Sequence, residues 1–575
     1  MTGIKNIQQQ FPFTNIESNK YWPYILWSMV VILFVTGIAA NSIWTTHESY
    51  YAVAVQEMLE RGNFWYITFN GELRLNKPPL TYWLMAGSAM LLGVHEWSLR
   101  LPIMLLGLGT ILIVYQLAKL LYNHRVAYLA MLMMAVSLQF VWLKHYASPE
   151  VPLTFFFTLT IYLFVKAFKE QRGPLSLLAF LSLGLTVLTK GYPYFIIIGS
   201  ILLTYLFVQG NYSLQEVKKK LSILHWKIGS LISLGVGMSW ILVMLYRYPE
   251  KMVQVLHFET TARAFENSTV VGALGNLFFY PEIILWSFLP FSLAFYLVVF
   301  HYIKYYRNTK EVALSVSWLV VMLVIFTLAK GKLPAYFIQA HPAMSLLLAY
   351  FVVYHQPKRL VKLWQLSFLL PSFLLIAACF AMVFLFHLSP AWYIVTIAIT
   401  GAMVYGLNRL KWRVLPYYAF FTMYLTLLIM FSGMYPALER YRPYKAISAA
   451  IQAERIESSV PLVIEERFIH NLPFYAKRKV LRNREYSLAD ILRMGQQQEV
   501  LALIKAGNGA IPAGYKVLWE GSLYKRGSES HGFKFALACW RAKEGDMQKF
   551  QKYSLIHRQD FTKKYKAHYH SASFK

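Results

Sequence analysis

From Trp22 to Met434, apolar runs long enough to cross a bilayer follow one another with only short polar interruptions. Crossing the ~30 Å hydrocarbon core takes about 17–25 residues, and runs of that order lie near 22–41, 99–118, 126–143, 151–165, 174–189, 193–208, 228–246, 283–300, 312–329, 335–354, 365–387, 391–406 and 414–434. Lipid leaves a chain with no backbone partner other than itself, so runs of this length must be helices. The sequence therefore predicts an α-helical polytopic membrane protein with about thirteen transmembrane helices. The first run lacks a small-residue cleavage site and is followed by many more, which makes it a retained helix.

One further run, Leu80 to Val94, is too short to span and sits between Lys77 and the polar His95-Glu96. It is assigned to the membrane interface, and the positive-inside rule decides the matter. With a cytoplasmic N-terminus and no span at 80–94, the inner segments 1–21, 119–125, 166–173, 209–227, 301–311, 355–364 and 407–413 carry 20 Lys or Arg. A span there would move Lys218-Lys219-Lys220, Lys358-Arg359 and Arg409/Lys411/Arg413 to the outside.

The odd span count places residues 435–575 on the outer side, as a second unit after the membrane domain at 1–434. Strand-like pieces at 460–464 and 515–519 alternate with helical ones such as 499–505, which predicts a small periplasmic α/β domain. Beyond Lys543 the basic tail has little apolar periodicity and is expected to be partly disordered. The topology that follows is a multi-pass membrane protein with the N-terminus cytoplasmic and the C-terminal domain outside, in the periplasm or its equivalent.

A formal charge of +29 admits nucleic acid, acidic lipid or topology as its cause. Topology absorbs most of it, because 20 cations fall in inner segments and 435–575 holds 25 Lys or Arg against 13 Asp or Glu, a net of +12. No nucleic-acid partner is expected; anionic lipid or glycan is. The two cysteines, Cys379 and Cys539, supply neither a disulfide framework nor a zinc pattern. No aspartate precedes Asp490, so acid–base chemistry in the membrane half must use Glu, His or Tyr.

The outer loops hold the candidates. In the first, 41–79, residues 49–61 have helical apolar spacing, predicting an amphipathic helix on the membrane surface with His47 and Glu48 at its start. Glu48 is either a catalytic carboxylate or the acid of a capping box Thr45-x-x-Glu48. The short second loop, 144–150, brings Glu150 to the membrane edge, either as a second functional carboxylate or as a helix N-terminal acid. Spans joined by short loops pack together, so the two loops can meet, and two glutamates in one outer cleft could position and deprotonate an acceptor.

Lys77, Lys190, Lys330 and Lys332 lie at outer helix ends, against the inward bias of the other cations. Each alone reads as a snorkelling side chain, and together they suggest a lipid phosphate held at the interface. The loop 247–282 carries His257, Glu259 and Arg263 and is long enough to close over a cleft as a lid. His257 and Glu259 are two potential metal ligands without a third. No cofactor is expected to be required, and a divalent metal near the outer-loop glutamates is the alternative.

His47-Glu48-Ser49-Tyr50-Tyr51-Ala52, Leu75-Asn76-Lys77-Pro78-Pro79-Leu80-x-Tyr82-Trp83, Glu96-x-Ser98-x-Arg100-Leu101-Pro102, Leu188-Thr189-Lys190-Gly191 and Gly331-Lys332-Leu333-Pro334-x-Tyr336 occur in that order. Over residues 20–435 this series resembles the GT-C membrane glycosyltransferases, in particular the lipid A aminoarabinose transferases and the protein O-mannosyltransferase-like enzymes. The resemblance implies a GT-C fold with interfacial helices in the first outer loop. It also implies a polyprenyl-phosphate sugar, such as an undecaprenyl-phosphate sugar, as donor. The acceptor would be lipid A, another glycolipid or glycan, or a protein.

By the same resemblance the first-loop acidic pair falls on His47 and Glu48 and the second-loop acid on Glu150. The phosphate contacts fall on Lys77 and Lys190, and the aromatic after Gly-Lys-Leu-Pro falls on Tyr336. Three positions depart from the family: His47 stands for an aspartate, Tyr50 for an arginine and Asn76 for an acid. The first leaves either His47 or Glu48 as the base, the favoured reading being that the pair acts together with Glu48 orienting His47 or the acceptor, and the second removes a phosphate contact. The mechanism expected is an inverting direct displacement, with Lys77, Lys190 and Lys332 on the departing phosphate, Tyr82, Trp83 and Tyr336 lining a groove for the polyprenyl tail, and Tyr50, Tyr51 and Tyr82 among the substrate contacts. The contrasting class, a lipid or glycolipid transporter or flippase, would predict internal repeats and charges in mid-membrane, whereas the chain shows no repeat and gathers its charges at one face.

Overall fold

The computed structural model of the chain describes residues 20–259, 277–306, 309–329, 331–355, 361–407, 414–482, 485–506, 511, 514–524, 539, 541 and 547–558. Arg263, Lys330, the middle of the predicted lid and the last seventeen residues lie outside them. Among the described residues, eight helical segments are long and apolar enough to cross a membrane: 96–121, 150–170, 173–190, 226–247, 310–328, 334–354, 361–385 and 415–439. Shorter apolar helices occupy Trp22–Val35, Leu80–Leu92, His124–Val136, Pro193–Gln209 and Ala391–Gly401.

In the order that matters for the site, α1 is Trp22–Val35, α2 Thr46–Arg61, α3 Leu80–Leu92, α4 Glu96–Leu121, α5 His124–Val136, α6 Leu138–Leu143, α7 Glu150–Glu170, α8 Gly173–Lys190, α9 Pro193–Gln209, α10 Leu214–Leu221, α11 Trp226–Arg247 and α12 Pro249–His257. Helix α4 packs on α5 and α7, and α8 packs between α7 and α11. These contacts bring the C-terminal end of α8 and the N-terminal end of α7 to the same end of the bundle. Helix α3, with 13 residues, is about 20 Å long against a ~30 Å core.

Two expected spans are broken. The run 126–143 divides at Ser137 into α5 and α6, and 283–300 divides into Phe279–Ser287 and Ser292–His301. The breaks meet and satisfy one another: Leu138 N donates to Leu289 O at 3.2 Å, and Ser137 Oγ lies 3.3 Å from Ser287 O and 2.6 Å from His341 Nδ1. Polar backbone freed inside an apolar bundle needs such partners, so the interruptions occur as a pair.

The long segment 41–79 after α1, the first outer loop of the expected topology, holds α2 and a small hairpin of β1 (Thr68–Phe69) and β2 (Glu72–Leu73), and α3 follows it. Asn70 and Gly71, at φ 57 and 77, make the tight turn between the strands. After the membrane domain comes a four-stranded sheet of β3 (Leu462–Ile464), β4 (Val500–Lys505), β5 (Lys516–Tyr524) and β6 (Phe550–Arg558), in the order β3-β4-β6-β5. The β3/β4 pair is parallel and the other pairs antiparallel.

Two expectations fail in this domain. Residues 499–505 are not helical: Val500 to Ile504 are all buried in an interior strand, where a continuous apolar run replaces alternation. Nor is 550–558 unstructured: its alternation is blurred because Tyr553 to His557 are buried one after another, and it pairs on both edges.

Candidate active site at the mouth of the bundle

Helix α2 begins where Thr45 Oγ1 accepts from Glu48 N at 3.0 Å, and it ends at Gly62, whose φ of 66° suits a residue without Cβ. Positions 47, 50 and 51 therefore share one side of the helix. Glu48 points in another direction. Its carboxylate is fully buried and accepts from Arg100 Nε at 2.8 Å, Arg100 Nη2 at 3.2 Å, Trp44 N at 2.5 Å and Ala147 N at 3.0 Å. Arg100, also fully buried, spends its remaining donors on the carbonyls of Ile38, Asn41 and Ser42. Glu48 thus ties α2, α4 and the second outer loop together, and no oxygen of it is left over for an acceptor.

About a quarter-turn around α2 from Glu48, His47 Nδ1 stands 4.0 Å from Glu150 Oε2, and Glu150 Oε1 is 3.3 Å from Lys190 Nζ. Glu150 heads α7 after Pro149 and is buried, with Oε2 lacking any hydrogen-bond partner. Lys190 closes α8 because Gly191 takes φ 124°, a conformation open to glycine, and its ammonium lies 5.0 Å from the Tyr336 ring centre. His47 stands at the mouth with one edge of its side chain open and the ring otherwise enclosed by its neighbours, Tyr51 among them. Burial of the ring holds its pKa below the ordinary imidazole value; Glu150 opposes this, while Lys190, Arg74 and Lys77 reinforce it. The ring is therefore neutral near pH 7 and able to accept a proton. A gap of 4.0 Å exceeds a direct hydrogen bond, yet one oxygen can touch both groups.

Next to Lys190 a small cleft opens, walled by Leu75, Asn76, Pro78, Tyr192, Trp240 and Glu259, with further apolar side chains of α12. Lys77 pairs with Glu259 at 2.8 Å across this region. Tyr51 stacks on Tyr82 at 4.3 Å, and both are fully buried, so they form the floor under His47 rather than an open groove wall. His257 is exposed at the end of α12, and Lys332 is half-exposed before the turn Pro334–Ala340. Among the described residues no three His, Cys, Asp or Glu side chains converge as a metal site, and Glu259 is taken by Lys77.

Three residues in or under this arrangement were not singled out from the sequence. Arg100 stood in the motif Glu96-x-Ser98-x-Arg100-Leu101-Pro102 without a role of its own. Arg74, three residues before Lys77, lies with its Cζ 3.8 Å from the centre of the Tyr50 ring, so a guanidinium stands over the position where the family's arginine is replaced. His470, from the C-terminal domain, packs against the same ring at 5.6 Å.

The profile of the dolichyl-phosphate-mannose-protein mannosyltransferase family matches residues 76–240. An uncharacterised Aquifex aeolicus protein is 30% identical over 515 residues, covering 89% of this chain and 96% of that one. The undecaprenyl phosphate-α-4-amino-4-deoxy-L-arabinose arabinosyl transferase 1 of Pseudomonas fluorescens is 24% identical over 56% of this chain and 59% of its own length. The crystal structure of ArnT from Cupriavidus metallidurans bound to undecaprenyl phosphate superposes with a TM-score of 0.72 at 17% identity, covering 94% of this chain and 98% of that chain, a likeness of fold.

Proposed function

We propose, on the premise that this chain belongs to the GT-C membrane glycosyltransferases of the ArnT and O-mannosyltransferase type, that it moves a sugar from a polyprenyl phosphate to an acceptor on the periplasmic side of a bacterial inner membrane. The acceptor is lipid A, another glycolipid or glycan, or a protein. The observation that carries this reading is the relay His47–Glu150–Lys190, at 4.0 and 3.3 Å, opening beside an apolar-walled cleft.

The acceptor's hydroxyl or phosphate oxygen sits between His47 and the unpartnered Oε2 of Glu150. As it attacks the anomeric carbon, its proton passes to His47, and Glu150 holds the imidazolium that forms. The bond from the anomeric carbon to the phosphate oxygen breaks, its electron pair leaves with the polyprenyl phosphate, and configuration inverts. Lys190 stabilises the charge that develops on the phosphate, with Lys77 freed from Glu259 and Lys332 at the rim. The lysines supply the positive charge, so no step is routed through a metal or cofactor. Glu48 acts beneath the site, holding α2 in place through Arg100. A transporter reading is not favoured, because His47, Glu150, Lys190 and Lys77 gather at one end of the bundle.

The test is release of polyprenyl phosphate from a labelled polyprenyl-phosphate sugar by the purified protein. His47→Ala and Glu150→Gln should each lower the transfer rate by about 10²–10⁴-fold. Full activity in both variants would remove the relay from the mechanism.

A further inference from the structure

The C-terminal domain sets His470 edge to face against Tyr50, on the helix that carries His47, and Arg74 lies over the same ring. Phe69 packs on Tyr50 at 4.7 Å and on His470 at 6.3 Å, closing the cluster. Four cations near the site are matched by carboxylates: Lys190 by Glu150, Lys77 by Glu259, Arg100 by Glu48, and Arg482 by Glu72. Arg74, half-buried, pairs with no carboxylate among the described residues, and its Nε is buried without a hydrogen-bond partner. His470 Nδ1 is likewise buried and unpartnered. Burial depresses the His470 pKa, and the guanidiniums of Arg482 and Arg74 depress it further. An unpartnered guanidinium N–H, an unpartnered imidazole nitrogen and a positive charge with no carboxylate are costly in a half-buried place unless a ligand completes them.

We propose that Arg74 and His470 form an anion subsite at the seam between the first outer loop and the C-terminal domain, taking a phosphate or carboxylate group of the acceptor. Position supports the role. Tyr50 is three residues from His47 on α2, on the same side of the helix, and Arg74 is near enough to His47 to lower its pKa. An acceptor anchored there would present a neighbouring oxygen to His47 and Glu150. This inference rests on the transferase reading, and it makes the C-terminal domain a contributor to acceptor binding.

The experiment measures binding to the full-length protein of two phosphorylated probes. One is soluble glucosamine 1-phosphate; the other is lipid A, a phosphorylated glycolipid, in phosphatidylcholine nanodiscs, with its dephosphorylated form as control. At least one phosphorylated probe should bind, and Arg74→Gln and His470→Gln should each weaken it about tenfold. Arg74→Lys should recover part of the loss, which separates a lost charge from a misfolded protein. Binding by both probes assigns the anion to glycans at large, and binding in nanodiscs alone assigns it to a membrane lipid; either outcome supports the subsite. Failure of both probes, equal binding of the dephosphorylated lipid, or unchanged affinity in both variants overturns it. Release of polyprenyl phosphate from the donor, measured on the wild type in parallel, reports the transferase reading separately.

Discussion

Glu48 accepts hydrogen bonds on both oxygens from Arg100, whereas Glu150 leaves Oε2 unpartnered toward His47, so two glutamates of one cleft have different work. Truncating one partner of a buried ion pair leaves the other charge uncompensated, at a cost of about 3–5 kcal/mol. Glu48→Ala should therefore destabilise the protein by that order, seen as a marked fall in the thermal midpoint of detergent-purified protein. Donor hydrolysis lost without loss of stability would instead place Glu48 in the chemistry. For His47 the pH profile is diagnostic. A base must be neutral to act, and the His47 pKa is lowered from 6.5, so the acid limb of kcat/KM should lie below pH ~6.5. Arg74 lowers that pKa and Glu150 raises it, so Arg74→Gln should move the limb to higher pH and Glu150→Gln to lower pH. A limb that stays in place in both variants would take His47 out of the base role. The sequence carried both readings of Glu48, cap and catalyst, because it shows the spacing Thr45-x-x-Glu48 but not Arg100 reaching across from another helix.

Helix ends, more than helices, build the site. The pattern Leu188-Thr189-Lys190-Gly191 was legible because glycine after a lysine at the end of an apolar run is a local signal. The structure adds its reason, φ 124° at Gly191, which stops α8 so that Lys190 stays level with Glu150. A Cβ there would force the backbone out of this region at a cost of order 1–3 kcal/mol. Gly191→Ala should consequently displace Lys190 and lower kcat/KM for the donor by about tenfold or more, an effect concentrated in donor affinity; unchanged donor KM would mean that the turn does not position the lysine. What stayed hidden at this scale was non-local. Val500 to Ile504 resembled a helix because burial on both faces erases strand alternation, and the divisions at Ser137 and before Ser292 were masked by apolar neighbours that satisfy the broken backbone from another helix.

Across the whole molecule, the C-terminal domain sits on the first outer loop through buried polar contacts that composition alone could not show. Asn70 exchanges two hydrogen bonds with the backbone of Val480, at 2.7 and 2.8 Å, and Asn471 binds Ser49 and the carbonyl of Ile43. Arg442 reaches the carbonyls of Ser42 and Ile43 and stacks over Trp44. The hydroxyl of Tyr475 accepts from Ile43 N at 2.7 Å and donates to Glu96 at 3.1 Å, joining the domain to the two segments that frame the Glu48–Arg100 pair. The segment 41–49 is therefore held from below by a buried ion pair and from above by the C-terminal domain, and His47 inherits its position from both. Tyr475→Phe keeps the ring stacked on Tyr444 but leaves the buried Ile43 N–H without its acceptor, a loss of about 1–3 kcal/mol. Because that loss falls on the loop rather than on the bundle, amide hydrogen exchange in 41–49 should rise while exchange in α4 and α7 stays put, and transfer should slow through looser placement of His47. Exchange confined to the C-terminal domain, with transfer unchanged, would show that the domain is attached to the loop without supporting it.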